Sequence, residues 1–187
     1  MRKLLILLLV WAPASLADAS AEGDSVARGE YLTTILGCGG CHTEGALLGK
    51  PRSGDFWLAG SRVGIAYSEY DPDAPPGIVF PGNLTPDRKT GLGRWSKAEI
   101  VRLLRNGINH QGGVALPVMP WPNYSLLSDA DASDIADYLM SLPAVRRKIP
   151  ENIEAGSPTT ESYVRIGIFI YDPANPETPV EPCTEDC

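Results

Sequence analysis

The chain has 187 residues, 43% of them hydrophobic and 21% charged, which is enough for one ordinary domain with extensions. Its 23 Asp and Glu outnumber 16 Lys and Arg, for a formal charge of −7, and so acidic a chain is a poor ligand for nucleic acid. No internal repeat is present, which excludes a solenoid or array.

Arg2 and Lys3 precede the apolar run Leu4 to Val10, and small residues follow at Ser15, Ala17, Ala19 and Ala21. This is the order of a secretory signal peptide, so residues 1–21 are expected to be removed, with cleavage near 17–21. The apolar stretch is well short of the ~20 residues that span a bilayer, and no other stretch could cross one. An exported, periplasmic product without a stable membrane span is therefore expected. Cleavage after Ala17, which removes Arg2 and Lys3, takes the formal charge to about −9.

A first helix is predicted over Val26 to Leu36, with Leu32, Ile35 and Leu36 as its apolar stripe. It leads directly into Cys38-Gly39-Gly40-Cys41-His42. Two cysteines separated by two residues and followed at once by histidine form the pattern of c-type haem attachment. Each thiol can form a thioether to a vinyl group, and the histidine can ligate the iron. A thioredoxin-like pair would need a strand-to-helix context, and a zinc site two further ligands.

Between this motif and Trp95 the chain is rich in Gly and Pro, with Pro72, Pro75, Pro76 and Gly77, and is expected to form loops rather than a helix or strand. Within it, Asn83 to Asp87 reads either as an ordinary turn opened by Pro86 or as a segment at the haem edge. A second helix starts at Ser96, where Glu99 completes a capping box and Trp95 can staple onto Ile100. Ile100, Leu103 and Leu104 are its core face, and Asn106-Gly107 ends it. A third helix runs from about Ser128 to Leu142, with Asp129 and Asp131 in its first turn, a buried face of Ile135, Tyr138, Leu139 and Leu142, and Pro143 as its stop.

Few side chains could be the second axial ligand to iron held by His42. Met140 lies inside the third helix, where methionine is more often core filler. Met119 lies in Leu116-Pro117-Val118-Met119-Pro120-Trp121-Pro122, whose prolines restrain the loop, and it is the preferred ligand. His110 and an open position are the alternatives. Trp57, Trp95 and Trp121 are read as packing groups.

Beyond Pro150 the composition changes again. Tyr163 to Tyr171 could form one strand, and the proline-rich remainder is expected to be extended or disordered. Cys183 and Cys187 are not followed by histidine, so a single haem is expected. They are read first as a small terminal disulfide, with free thiols or a bridge to a partner chain as alternatives. Glu177, Glu181, Glu185 and Asp186 either steer encounter or keep this end solvated.

The segments Ala27-Arg28-Gly29-Glu30-Tyr31-Leu32, Cys38 to His42, Asn83-Leu84-Thr85-Pro86-Asp87, Thr90 to Ser96, Met119-Pro120-Trp121-Pro122 and Tyr138 to Pro143 together resemble class I cytochromes c. The resemblance is to periplasmic monohaem proteins and to the haem modules of bacterial alcohol, aldehyde and gluconate dehydrogenase complexes. It implies an all-α fold of three or more helices around one covalent haem c, with residues 22–150 as the cytochrome domain and 151–187 as a C-terminal extension. It also implies Met119 as the distal ligand and a crossing of the first and last helices near Gly29 and Tyr138. The implied role is that of a one-electron carrier rather than an enzyme, between a dehydrogenase donor and an oxidase or cytochrome acceptor. Alternatives are an obligate haem subunit of one dehydrogenase, and a haem enzyme with a labile distal ligand. The net charge predicts a basic partner, unless the negative groups are segregated away from the haem edge.

Overall fold

The structure, a computed structural model, describes residues 16–52, 54–67, 77–113 and 118–165. Helix α1 (Leu16–Ile35) begins ten residues before the predicted start and crosses helix α5 (Asp129–Ser141). The crossing is where the resemblance implied it: a methyl group at Gly29 would collide with the Asp134 carbonyl oxygen and with Tyr138 Cβ, so only glycine lets the two backbones approach. Arg28 pairs with Asp131 at 2.9 Å across this contact, and Ser25 Oγ lies 2.8 Å from Asp134 Oδ1. The buried stripe of α1 is Gly29, Leu32, Thr33 and half-buried Leu36. Ile35, predicted to belong to it, is 57% exposed, because one residue's step about the helix carries it away from the stripe through Leu32 and Leu36.

Helix α1 stops at Gly37, whose φ of 73° is left-handed, and a second short helix, α2 (Cys38–His42), follows at once. Helix α3 (Lys97–Asn106) has the predicted capping box, with Ser96 Oγ accepting from Glu99 N and the Glu99 carboxylate accepting from Ser96 N at 2.7 Å. Trp95 and Ile100 both pack into the core, and Gly107, at φ 62°, closes the helix onto Leu103 O. The one-turn helix α4 (Trp121–Tyr124) was not foreseen, although Pro122 suits a helix start. Ser128 caps α5, which buries Ala132, Ile135, Ala136, Tyr138 and Leu139 against Leu32, Ile100 and Leu104.

The fold is helix-rich but not all-α. Strands β1 (Gly64–Tyr67), β2 (Gly77–Val79) and β3 (Tyr163–Arg165) form a sheet of order β2-β1-β3, antiparallel between β1 and β2 and parallel between β1 and β3. Part of the stretch expected to be loops is thus strand. The prolines at 72, 75 and 76 fall between β1 and β2 rather than within either, so no ladder donor is lost. Residues 143–165 run back over the preceding loops. Val145 exchanges bonds with Asn83 and Thr85, Ile153 pairs with Ile78 at 2.8 and 2.9 Å, and β3 joins the sheet. Beyond Arg165, the rest of the predicted strand to Tyr171 and the cysteine pair 183 and 187 lie outside the described residues, as does most of the predicted signal segment. Among the described residues no helix is long and apolar enough to cross a membrane.

Candidate haem site

The five residues of α2 carry the attachment motif on one turn of helix. Both thiols are free and half-buried, and burial pushes the pKa of each upward. They follow a helix and a left-handed glycine, not a strand, unlike a thioredoxin-type pair. Among the described residues no group of three or more His, Cys, Asp or Glu side chains is placed to hold a metal, the number a structural zinc site would need.

Gly39 is flush against the ring of Trp57, and any side chain there would overlap the indole. Trp57 Nε1 in turn donates to Tyr138 Oη at 3.0 Å, so one tryptophan ties the cysteine turn to α5. Neither contact was legible in the sequence. The neighbouring Leu58 is fully buried at φ 56°, a left-handed conformation that costs roughly 1–2 kcal/mol in a residue with a side chain. Its N–H is held by Thr43 Oγ1 at 3.2 Å and its carbonyl accepts from Leu84 N at 2.9 Å. Two residues on, Gly60 N donates to His42 O at 2.8 Å, which anchors the histidine backbone.

The His42 ring lies 2.8 Å through Nδ1 from the Gly82 carbonyl oxygen. A carbonyl only accepts, so Nδ1 carries the proton and the lone pair is on Nε2, the tautomer that suits an axial ligand. Burial lowers the pKa of this ring, against the opposing effect of the Gly82 bond, and so favours the neutral form a ligand requires.

The Gly82 carbonyl is held by the segment that follows it. Asn83, 4% exposed, accepts from Thr85 N at 2.9 Å and Thr85 Oγ1 at 2.7 Å, and donates to Val145 O at 2.7 Å and Thr90 Oγ1 at 3.2 Å. Asp87 Oδ1 gathers Thr90 N and Thr90 Oγ1, each at 2.7 Å, and the Thr90 hydroxyl is the first cause of its lowered pKa. Gly91 and Gly93 pass so close to the Thr85 and Pro86 carbonyls that a Cβ would overlap them. Asn83 to Asp87 is therefore a turn whose polar side chains face inward and fix the residue before it.

Met119 is half-buried and packs on the core cluster that also receives Cys38, Leu36, Trp95 and Trp121. The Tyr124 hydroxyl, at the end of α4, lies beside the Cys38 sulfur, and burial pushes its pKa up to about 12. His110 is engaged elsewhere: its Nδ1 pairs with Glu99 at 2.9 Å and its ring stacks on Trp95 with centroids 5.1 Å apart. Met140, expected as core filler, is 38% exposed, because it follows Leu139 by one step around α5 and leaves the face that packs on α1. The chemistry of the set, two free thiols, a desolvated imidazole with a free Nε2 and a half-buried thioether, fits a covalently attached haem.

No family model matches the chain. Over 129 residues, 69% of its length, it is 34% identical to the fructose dehydrogenase cytochrome subunit of Gluconobacter japonicus. It is 32% identical over 127 residues, 68% of its length, to the gluconate 2-dehydrogenase cytochrome c subunit of Pantoea cypripedii. The chain spans only 24% and 25% of those two proteins. A diheme cytochrome c-type protein of Cereibacter sphaeroides is 28% identical over 116 residues, 62% of this chain and 36% of that protein. The fructose, gluconate and alcohol dehydrogenase relatives are cytochrome subunits, in line with an electron-transfer protein rather than an enzyme. By this similarity the chain is a cytochrome c that resembles the haem modules of dehydrogenase cytochrome subunits.

Proposed function

We propose that this protein is a periplasmic c-type cytochrome that carries single electrons from a dehydrogenase to a downstream oxidase or cytochrome. One haem c is bound through thioethers to Cys38 and Cys41, with His42 and Met119 as axial ligands. Residues 1–21 act as signal peptide, 22–150 form the class I cytochrome domain, and 151–187 are its C-terminal extension. When bound, the haem supplies a one-electron couple, and histidine with methionine leaves no position open to substrate. The chain's own residues orient the ligands and exclude water. Gly82 holds the His42 ring, Trp57 seats the cysteine turn, and the proline-flanked loop presents Met119.

The observation that carries this reading is the His42 Nδ1 to Gly82 carbonyl contact of 2.8 Å directly beside two free thiols. The test is to express the chain with a haem-maturation system and denature it. Haem should stay on the polypeptide after acid-acetone extraction and be absent from Cys38→Ala with Cys41→Ala. The oxidised protein should show the weak near-infrared sulfur-to-iron charge-transfer band, and Met119→Leu should abolish it while Met140→Leu keeps it. Retention of that band in Met119→Leu would overturn the ligand assignment.

A second reading, the haem subunit of one dehydrogenase complex, is favoured by two of the relatives, which are cytochrome subunits of fructose and gluconate dehydrogenases. Co-purification with a dehydrogenase that survives high salt would select it over a freely diffusing carrier.

A further inference from the structure

The loop that carries Met119 is closed at its mouth and fastened along one limb. Gly107, at φ 62°, ends α3, and the Trp121 ring lies against it, with Cδ2 and Cγ 3.5 and 3.6 Å from where a Cβ would stand. Between these ends, residues 109–113 form a turn of their own. Asn109 N donates to Gly113 O at 2.8 Å, Gly113 N to Asn109 Oδ1 at 2.9 Å, and Gly112 N, in a residue at φ 85°, to Asn109 O at 3.0 Å. These bonds lie within the turn, so they give it a shape without fixing where it sits.

Its place is set by His110. The ring's Nδ1 lies 2.9 Å from Glu99 Oε1, and a carboxylate oxygen only accepts, so Nδ1 donates. The imidazole also stacks on the Trp95 indole, with centroids 5.1 Å apart and 29° between the planes. Both partners are themselves held. Glu99 gives its other oxygen, Oε2, to Ser96 N at 2.7 Å and Ser96 Oγ at 2.8 Å, and the Ser96 backbone bond is the first cause of its lowered pKa, so His110 meets an ionised carboxylate. Trp95 packs on the core cluster that also receives Met119 and Trp121. Among the described residues, His110 is the one member of the turn whose side chain engages another element.

We infer that His110 is a positioning residue for Met119, because it fastens the turn 109–113 to Trp95 and Glu99 and so holds the loop where it presents the thioether. This rests on the reading of Met119 as axial ligand and deepens it by naming the side chain that keeps the ligand in place. A thioether is a weak donor, so the freedom of the chain that carries it decides how often it is detached. Met119 comes nine positions after His110 and two before Trp121. Wherever residues 114–117 run, a chain held at both points carries position 119 only a short way, whereas release at His110 adds the whole turn to the free segment. The ligating arrangement then becomes a smaller fraction of the population, and a competing ligand gains by the same factor.

The test uses the full, haem-loaded chain in its oxidised form, titrated with imidazole, which binds iron as Met119 leaves it. Loss of the near-infrared sulfur-to-iron band reads this exchange. His110→Ala should raise the apparent affinity for imidazole about tenfold, and the band should disappear on heating before the protein unfolds. His110→Phe keeps a ring to stack on Trp95 and His110→Gln keeps a donor for Glu99, so each should recover part of the wild-type resistance to imidazole. Ser25→Ala is the control for lost stability alone, since it removes the contacts of α1 with Asp134 and Asp137 and leaves those of His110 intact. Its imidazole affinity should match wild type. Unchanged imidazole affinity in His110→Ala would overturn the proposal, and so would an equal rise in Ser25→Ala, because His110 would then act through global stability only. Failure of the ligand reading itself is distinguishable: wild type would lack the band, or Met119→Leu would keep it.

Discussion

Two regions hold the candidate site, and they are built by different physics. The crossing of α1 and α5 is made by backbone approach at Gly29 and by apolar packing around Leu32, Ile135 and Leu139. The layer formed by residues 82–95 and 145–149 has little regular structure. It is made of side chains bonded to backbone, chiefly Asn83, Thr85, Asp87 and Thr90. The helical region gives the module its rigidity, whereas the polar layer sets the orientation of one imidazole. A packing defect in the first should cost stability, and a defect in the second should cost stability and also change the properties of the site.

Gly29→Val should give the largest effect. Its side chain would be forced into the Asp134 carbonyl, and denaturant unfolding should show a loss of about 3 kcal/mol with little change in the holoprotein's reduction potential per folded molecule. Asn83→Ala removes four hydrogen bonds and leaves the buried Thr85 groups without their acceptor, a loss of about 2 kcal/mol. Here the potential should also rise, because a loosened Gly82 carbonyl makes the His42 imidazole a poorer donor to iron. Equal shifts in potential for the two variants would erase the distinction between the regions.

Trp57→Phe loses the bond to Tyr138 and also draws the ring back from Gly39, which meets the outer indole atoms, and should cost about 2 kcal/mol by the same unfolding measurement. The smallest effect is confined to high pH. Tyr124 has its pKa raised to about 12, first by burial and then by the nearby Cys38, so the folded state holds this proton more tightly than the unfolded state does. The resulting stability is complete below the ordinary tyrosine pKa of about 10 and is lost as pH rises through 12. Burial also raises the pKa of Tyr138, so ultraviolet titration of the haem-free protein should show late-ionising tyrosine, and Tyr124→Phe should remove the part of it that titrates near 12.

Local signals carried the helices. The capping box at Ser96, the Ser128 cap and the left-handed glycine at 107 are contacts between residues a few positions apart, so spacing alone determined them. Spacing likewise marked Cys38, Cys41 and His42 as one attachment motif, though its helical turn came only from the structure, and the resemblance placed the helix crossing near Gly29 and Tyr138. The outward turn of Ile35 and Met140 was not legible, because an apolar side chain at the margin of a stripe can fall on either side, and the crossing partner decides which. Tertiary structure alone supplied Gly82 as the partner of His42, Trp57 as the seat of Gly39 and β3 as the neighbour of β1, since these pairs are far apart in the chain and carry no local pattern. Net charge, too, is a property of the sequence, but the pairing of Asp129, Asp131 and Asp137 on α5 with Arg105, Arg28 and Lys97 exists only once α1 and α3 are packed against that helix. A sum of charges has no direction, and folding gives it one.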